Sequence, residues 1–117
     1  MTEPADVVDA QVDAYRKRDL ELFLSFYSEA VVILGPDGQL VMSGLAELRA
    51  QYGRFFADNP GLTIEVASRI SIGEFVIDEE VVRTEGPDAA AGEPRQMRAV
   101  AVYRVAGGHI IQVTMLR

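Results

Sequence analysis

Met97-Arg98-Ala99-Val100-Ala101-Val102-Tyr103-Arg104-Val105-Ala106-Gly107-Gly108-His109-Ile110-Ile111-Gln112-Val113-Thr114-Met115-Leu116 decides the fold. Two runs rich in β-branched and small apolar residues flank a Gly-Gly pair. That grammar predicts two antiparallel strands joined by a tight turn. Strand period divides the first run into two sets: Arg98, Val100, Val102 and Arg104 on one face, Ala99, Ala101 and Tyr103 on the other. In the second run Gln112 and Thr114 stand opposite Val113 and Met115. The small and aromatic set predicts the inner face, where Ala101 would leave room for a ligand and Tyr103 and Met115 would line it. The valine and arginine set predicts a face toward a second copy of the chain, because arginine and apolar residues are enriched at such patches. A plain amphipathic sheet with one wet face explains the same pattern.

Working toward the N-terminus, the strand grammar continues. Phe75 to Thr84 reads as a strand after Gly73. Ile64, Val66, Ile70 and Ile72 alternate in the strand before it. Gly86-Pro87-Asp88 through Gly92 predicts a loop, so residues beyond 61 predict a four-strand antiparallel meander. The first half reads differently. Val8, Val12 and Tyr15 recur at helical spacing, with Thr2 as a candidate cap, Pro4 in the first turn and Lys17 and Arg18 at the end. Asp19 predicts the cap of a second, short helix whose stripe is Leu20, Phe23 and Tyr27. Residues 30 to 34 and 39 to 42 flank Gly35-Pro36-Asp37-Gly38, a hairpin signal in which Pro presets φ and Gly takes the left-handed position. Ser43 predicts the cap of a third helix with Leu45, Leu48, Tyr52, Phe55 and Phe56 on its core face, stopped by Asn59-Pro60-Gly61. The expected architecture is α+β: a strongly bent, mostly antiparallel sheet with helices packed on its concave face, in one domain over residues 1–117.

Composition narrows the function classes. Of 117 residues, 49% are hydrophobic and 25% charged, a globular balance. Eighteen acidic against eleven basic residues give a net charge of −7, which disfavours nucleic acid and anionic membranes as partners. No apolar run approaches the roughly 18 residues of a membrane span. The acidic N-terminus has no signal-peptide pattern, so the expected address is cytoplasmic. There is no cysteine, which excludes disulfides and thiolate metal ligands. No phosphate loop, dinucleotide fingerprint or Ser-His-Asp arrangement is present, and no cofactor is implied. A metal would need the single histidine, His109, together with Asp78 and Glu80. His109 instead follows a Gly-Gly turn, a solvent-facing place.

Asp78-Glu79-Glu80 stands out because it interrupts an otherwise apolar strand. Alternation puts Asp78 and Glu80 on one face and Glu79 on the other. A carboxylate among apolar walls has its charged form disfavoured and becomes fit for proton transfer near neutral pH. Two on one face would couple. A solvated strand face, or pairing with Arg69, Arg83 or Arg98, is the alternative. Gln11, Tyr15, Tyr27 and Tyr52 are a second candidate group, able to orient a carbonyl or simply to fill the core.

The order of elements, with Ala14-Tyr15-Arg16-Lys17-Arg18-Asp19-Leu20-Glu21, Phe26-Tyr27-Ser28-Glu29-Ala30-Val31, Ser43-Gly44, Tyr103-Arg104-Val105 and Gly108-His109-Ile110-Ile111, resembles the SnoaL-like and ketosteroid-isomerase-like branch of the nuclear-transport-factor-2-like superfamily. The resemblance covers essentially the whole chain. It implies a conical half-barrel around a pocket, pairing through the outer sheet face, and the Asp78/Glu80 face as the pocket side. It also implies what is missing. The isomerase's oxyanion tyrosine falls on Gln11, its general-base aspartate on Gly35 and its second oxyanion donor on Ala101, whereas supporting tyrosines persist as Tyr27 and Tyr52. Steroid isomerisation by that mechanism is not expected. The readings left open are an isomerase, dehydratase or cyclase acting on an apolar carbonyl compound, a non-catalytic module for a small apolar ligand, and an oligomerisation domain. In the first, Asp78 or Glu80 is the acid/base and Gln11 and Tyr52 orient the carbonyl.

Overall fold

The structure is a computed structural model that describes residues 3–84 and 95–117. Helices α1 (Pro4–Lys17) and α2 (Leu20–Ser25) precede strands β1 (Tyr27–Leu34) and β2 (Leu40–Ser43). Helix α3 (Leu45–Asp58) then leads into β3 (Thr63–Ile72), β4 (Phe75–Thr84), β5 (Arg95–Ala106) and β6 (His109–Leu116). The six strands form one curved, unclosed sheet in the order β2-β1-β6-β5-β4-β3. All neighbours are antiparallel except β1 and β6. The meander expected from the second half is therefore present, and β1 docks in parallel on its last strand. The expected loop over 86 to 92 lies outside the described residues.

Local chemistry explains the element ends. Asp6 accepts the Glu3 N–H at 3.0 Å, making Glu3 the cap of α1; Thr2, the expected cap, lies outside the described residues. Arg18 closes α1 in the left-handed conformation. Asp19 caps α2 as expected, its Oδ1 accepting from Leu22 N at 3.2 Å. Tyr27 is not part of that helix: α2 ends at Ser25, and Tyr27 opens β1 opposite Ile110. Nor does Ser43 cap α3. It remains paired with Val32 in β2, and Gly44 turns the corner at φ 86°, a conformation that disfavours a side chain. Asn59 ends α3, its side chain donating to the Phe55 carbonyl at 2.8 Å.

A bulge between Val66 and Ser68 corrects the expected alternation of β3. Before it, Ile64 and Val66 face inward opposite Val82 and Glu80. After it, Arg69 and Ser71 take the inner face, and Ile70 and Ile72 turn outward onto Ile77 and Phe75. The extra residue flips the face and sharpens the bend. The helices fill the concave side, burying Val8, Val12, Phe23, Leu24 and Leu48 against Val31, Val76 and Ile110. Tyr15, Phe23, Tyr52, Phe55 and Phe56 meet edge-to-face and tilted at the helix junction, with Phe23 and Tyr52 centroids 4.8 Å apart.

Candidate functional site

Between the helices and the inner sheet face lies a cavity of about 340 Å³, at the small end of the range for ligand sites. Most of its wall is apolar, supplied by Ile33, Met42, Phe55, Ile64, Val82 and Met97 among others. Each sheet residue on that wall sits on the inward parity of its strand. In β4 that parity places Glu80 at the cavity, with its partner Ala99 beside it.

Glu80 is only 5% exposed. The Tyr103 hydroxyl donates to its Oε2 at 2.7 Å. Its other oxygen has no protein partner among the described residues, and no buried side-chain oxygen or nitrogen there lacks one, so Oε1 opens on the cavity. Burial pushes the carboxyl up to about 7, and the nearby charge of Asp78 adds to this; the Tyr103 hydrogen bond and Arg69 oppose it. Such a group is divided between acid and base near neutral pH.

Asp78 has a different fate, although it shares the strand face. It is completely buried, and Arg69 grips it through two bonds, Nε to Oδ1 at 2.6 Å and NH2 to Oδ2 at 2.9 Å. Arg69 also reaches Asp9 of α1 at 2.6 Å. The Asp9–Arg69–Asp78 chain ties α1 to the sheet and keeps Asp78 off the cavity wall. Its lone pairs are engaged by a guanidinium, whereas Glu80 keeps one oxygen free. Glu79, on the outer face, pairs with Arg98 at 3.0 Å.

The second candidate group converges on the same cavity. Gln11, Tyr15, Tyr27 and Tyr52 all line it, as do Tyr103 and Met115. Tyr27 donates to Gln11 Oε1 at 2.7 Å, and Gln11 Nε2 leans on the Val8 carbonyl at 3.3 Å. The glutamine's acceptor is thus occupied, and what it can offer a ligand is an N–H. The Tyr15 and Tyr52 hydroxyls have no protein partner among the described residues and face the cavity. Burial raises both phenols, Tyr52 to about 12, so each is a neutral hydrogen-bond donor at physiological pH.

Ala101 does not line the cavity. It is fully buried opposite Asp78, between Ala99, the partner of Glu80, and Tyr103. Its side chain is only a methyl, at the one inward position of β5 between Tyr103 and the residue paired with Glu80, and Tyr103 nevertheless reaches Glu80. His109 is exposed at the β5–β6 turn, its Nδ1 3.3 Å from the Gly107 carbonyl oxygen. Two polar wall residues escaped the sequence reading, Gln51 and Arg117. Arg117 could have been found, since it continues the inward series Val113, Met115.

Comparison with known proteins agrees with this architecture. No curated protein matches the chain. Among solved structures, a cystatin-fold protein from Novosphingobium aromaticivorans superposes with a TM-score of 0.88 at 22% identity, covering 100% of both chains. A protein with a ketosteroid-isomerase-like fold from Catenulispora acidiphila, in complex with trimethylamine, gives 0.78 at 16% identity, with 97% of this chain and 85% of that one covered. TerC, co-crystallised with polyporic acid, gives 0.77 at 15%, covering 97% and 90%. The model of the SnoaL-like domain matches residues 8–113, and with that match the chain belongs to the SnoaL-like domain family.

Proposed function

We propose that the cavity binds a small, largely apolar carbonyl compound and that Glu80 moves a proton on it, in an isomerase-, dehydratase- or cyclase-type reaction. The observation that carries this reading is the Glu80 carboxyl itself: buried in an apolar wall, anchored by one phenol, with its free oxygen on the cavity and its pKa near 7. As carboxylate it takes a proton from the carbon next to the carbonyl. The C–H bond breaks, an O–H bond forms on Glu80, and the electron pair moves onto the carbonyl oxygen. The Tyr15 or Tyr52 hydroxyl meets that developing oxyanion. Glu80, now an acid, returns the proton to another carbon, or to a departing hydroxyl that leaves as water. Two neighbours of this fold were solved with small organic molecules, one in complex with trimethylamine and one co-crystallised with polyporic acid.

The test is α-proton exchange in deuterated water, followed by NMR with 1-tetralone as probe. Exchange above the buffer rate that disappears in Glu80→Gln supports the reading. Probe binding without any exchange would favour a non-catalytic ligand module. That rival is motivated by glutamine, glycine and alanine at positions 11, 35 and 101, where the resemblance expects the isomerase's catalytic groups.

The outer sheet face is where a second copy would pair. Ile72, Phe75, Ile77, Val100, Val102 and Leu116 share it, with Ile72 65% exposed. Light scattering at tens of micromolar should give a dimer that Ile72→Lys dissociates; a wild-type monomer would count against this interface.

A further inference from the structure

Arg117 is the one cation on the cavity wall among the described residues. It follows β6 with the inward parity of Val113 and Met115, so its side chain lies on the cavity side of the sheet rather than on the outer face. Six other cations, Lys17, Arg49, Arg69, Arg83, Arg98 and Arg104, have acidic partners, whereas Arg16, Arg18, Arg54 and Arg95 have none among the described residues and do not line the cavity. Arg117 has none among the described residues. Its charge is felt at the Tyr15 and Tyr52 hydroxyls, easing the ionisation of both. The cavity wall thus carries a guanidinium, the phenols of Tyr15 and Tyr52, apolar side chains and the Glu80 carboxyl.

The surrounding charge sharpens the point. The protein carries a net −7 and repels anions in general, yet this cavity presents a guanidinium, whose planar fork suits a carboxylate. The Arg117 guanidinium is a match for a single anionic group on a ligand.

We propose that Arg117 is a specificity determinant and that the ligand is an aromatic or alicyclic carbonyl compound bearing one carboxylate, held with that carboxylate at Arg117 and its carbonyl-bearing end toward Glu80. The proposal rests on the reading of the cavity as a ligand site, but not on catalysis by Glu80. It also gives a pH dependence. The groups facing Glu80 are Tyr103 from β5, the Asp78–Arg69 pair from β4 and β3, Tyr15 from α1, Tyr52 from α3 and Tyr27 from β1. All four phenols stay neutral between pH 5 and 8, so Glu80 is the group whose charge changes in that window.

The experiment compares 2-naphthoate with its neutral isostere 2-naphthamide by titration calorimetry. At pH 6 the naphthoate should bind at least tenfold more tightly. Arg117→Gln, at an exposed strand end, should keep the wild-type circular dichroism spectrum, lose that tenfold and leave the naphthamide unchanged. Arg117→Lys should recover part of the preference. Between pH 6 and 8 naphthoate binding should weaken as Glu80 ionises, and Glu80→Gln should abolish that trend. Equal binding of the two probes, or an Arg117→Gln variant that affects both alike, would overturn the role of Arg117 while leaving the cavity a ligand site. Failure of both probes to bind would overturn the proposal and the ligand-site reading together. Failure of tetralone exchange alone would touch only the catalytic reading.

Discussion

Replacing Glu80 by glutamine keeps the shape of the side chain and an oxygen for the Tyr103 hydroxyl, while removing the ionisation. The carboxyl titrates at about 7 in the folded protein, against 4.5 for an ordinary glutamate. The native state therefore holds this proton more tightly than the unfolded chain does. Below pH 4.5 both states are protonated and the group is neutral in the balance. As pH rises through 4.5 the unfolded chain ionises freely while the native state resists, and stability falls until the native carboxyl has also ionised above 7. Linkage puts the loss at about 3 kcal/mol across that window. Glu80 is nearly inaccessible to water, so solvent screening does little to reduce it. The amide has no such slope. The stability difference between variant and wild type should thus grow with pH, favouring the variant by about 3 kcal/mol, or roughly 10 °C in Tm, at pH 8 relative to pH 4.5. Parallel urea and thermal melts of the two proteins between pH 4.5 and 8 measure this difference, and effects common to both cancel. A constant offset across the range would place Glu80 in water and remove the basis for its role as acid and base.

Other expectations follow from the same contacts. Tyr103→Phe removes the one donor to Glu80 Oε2, so the carboxyl should titrate above 7, at a stability cost of about 1 kcal/mol; carbon NMR of the glutamate carboxyl reads the midpoint. Asp78→Asn moves that midpoint the other way, because a neighbouring negative charge is lost while Arg69 stays. It should also destabilise the fold by about 3 kcal/mol by breaking a buried pair, seen in urea melts, and an unchanged melt would refute the tether. Ala101→Leu should overpack by about 1–3 kcal/mol and push the Tyr103 ring off Glu80. The carboxyl should then titrate upward as in Tyr103→Phe; a midpoint left at 7 would show that Ala101 does not make room for the hydrogen bond.

Much of the fold was legible because the local signals agree with the tertiary structure. The Pro-Asp-Gly and Gly-Gly turns and the helical stripes of α1 and α3 lie where local chemistry puts them. The departures trace to long-range pairing. Leu20, Phe23 and Tyr27 have helical spacing, yet Tyr27 leaves the helix because Ile110, far away in sequence, pairs with it. Ile64, Val66, Ile70 and Ile72 alternate without fault in the sequence, and an extra residue between Val66 and Ser68 still turns the last two outward. The trace of that bulge is Arg69, a charge that is reasonable on the inner face only because Asp78 waits opposite it.

The site was legible to the level of a strand face but not of a residue. Asp78 and Glu80 are two apart on β4, point the same way and break the same apolar run, so period alone treats them alike. What separates them is the element that covers each. Helix α1 closes over Asp78 and brings Asp9 to share Arg69, making that acid half of an ion pair. Two residues on, the helices part, and Glu80 meets a phenol, an apolar wall and an open volume. The two carboxylates are thereby assigned different work by environment rather than by identity. The assignment is also coupled, because the Asp78–Arg69–Asp9 chain holds the helix that carries Gln11 and Tyr15. Loosening the tether should shift the cavity wall as well as the stability. Asp78 is therefore a positioning residue for the proposed acid/base, and a sequence that kept Glu80 but lost Asp78 would be expected to keep the cavity carboxyl and lose the geometry around it.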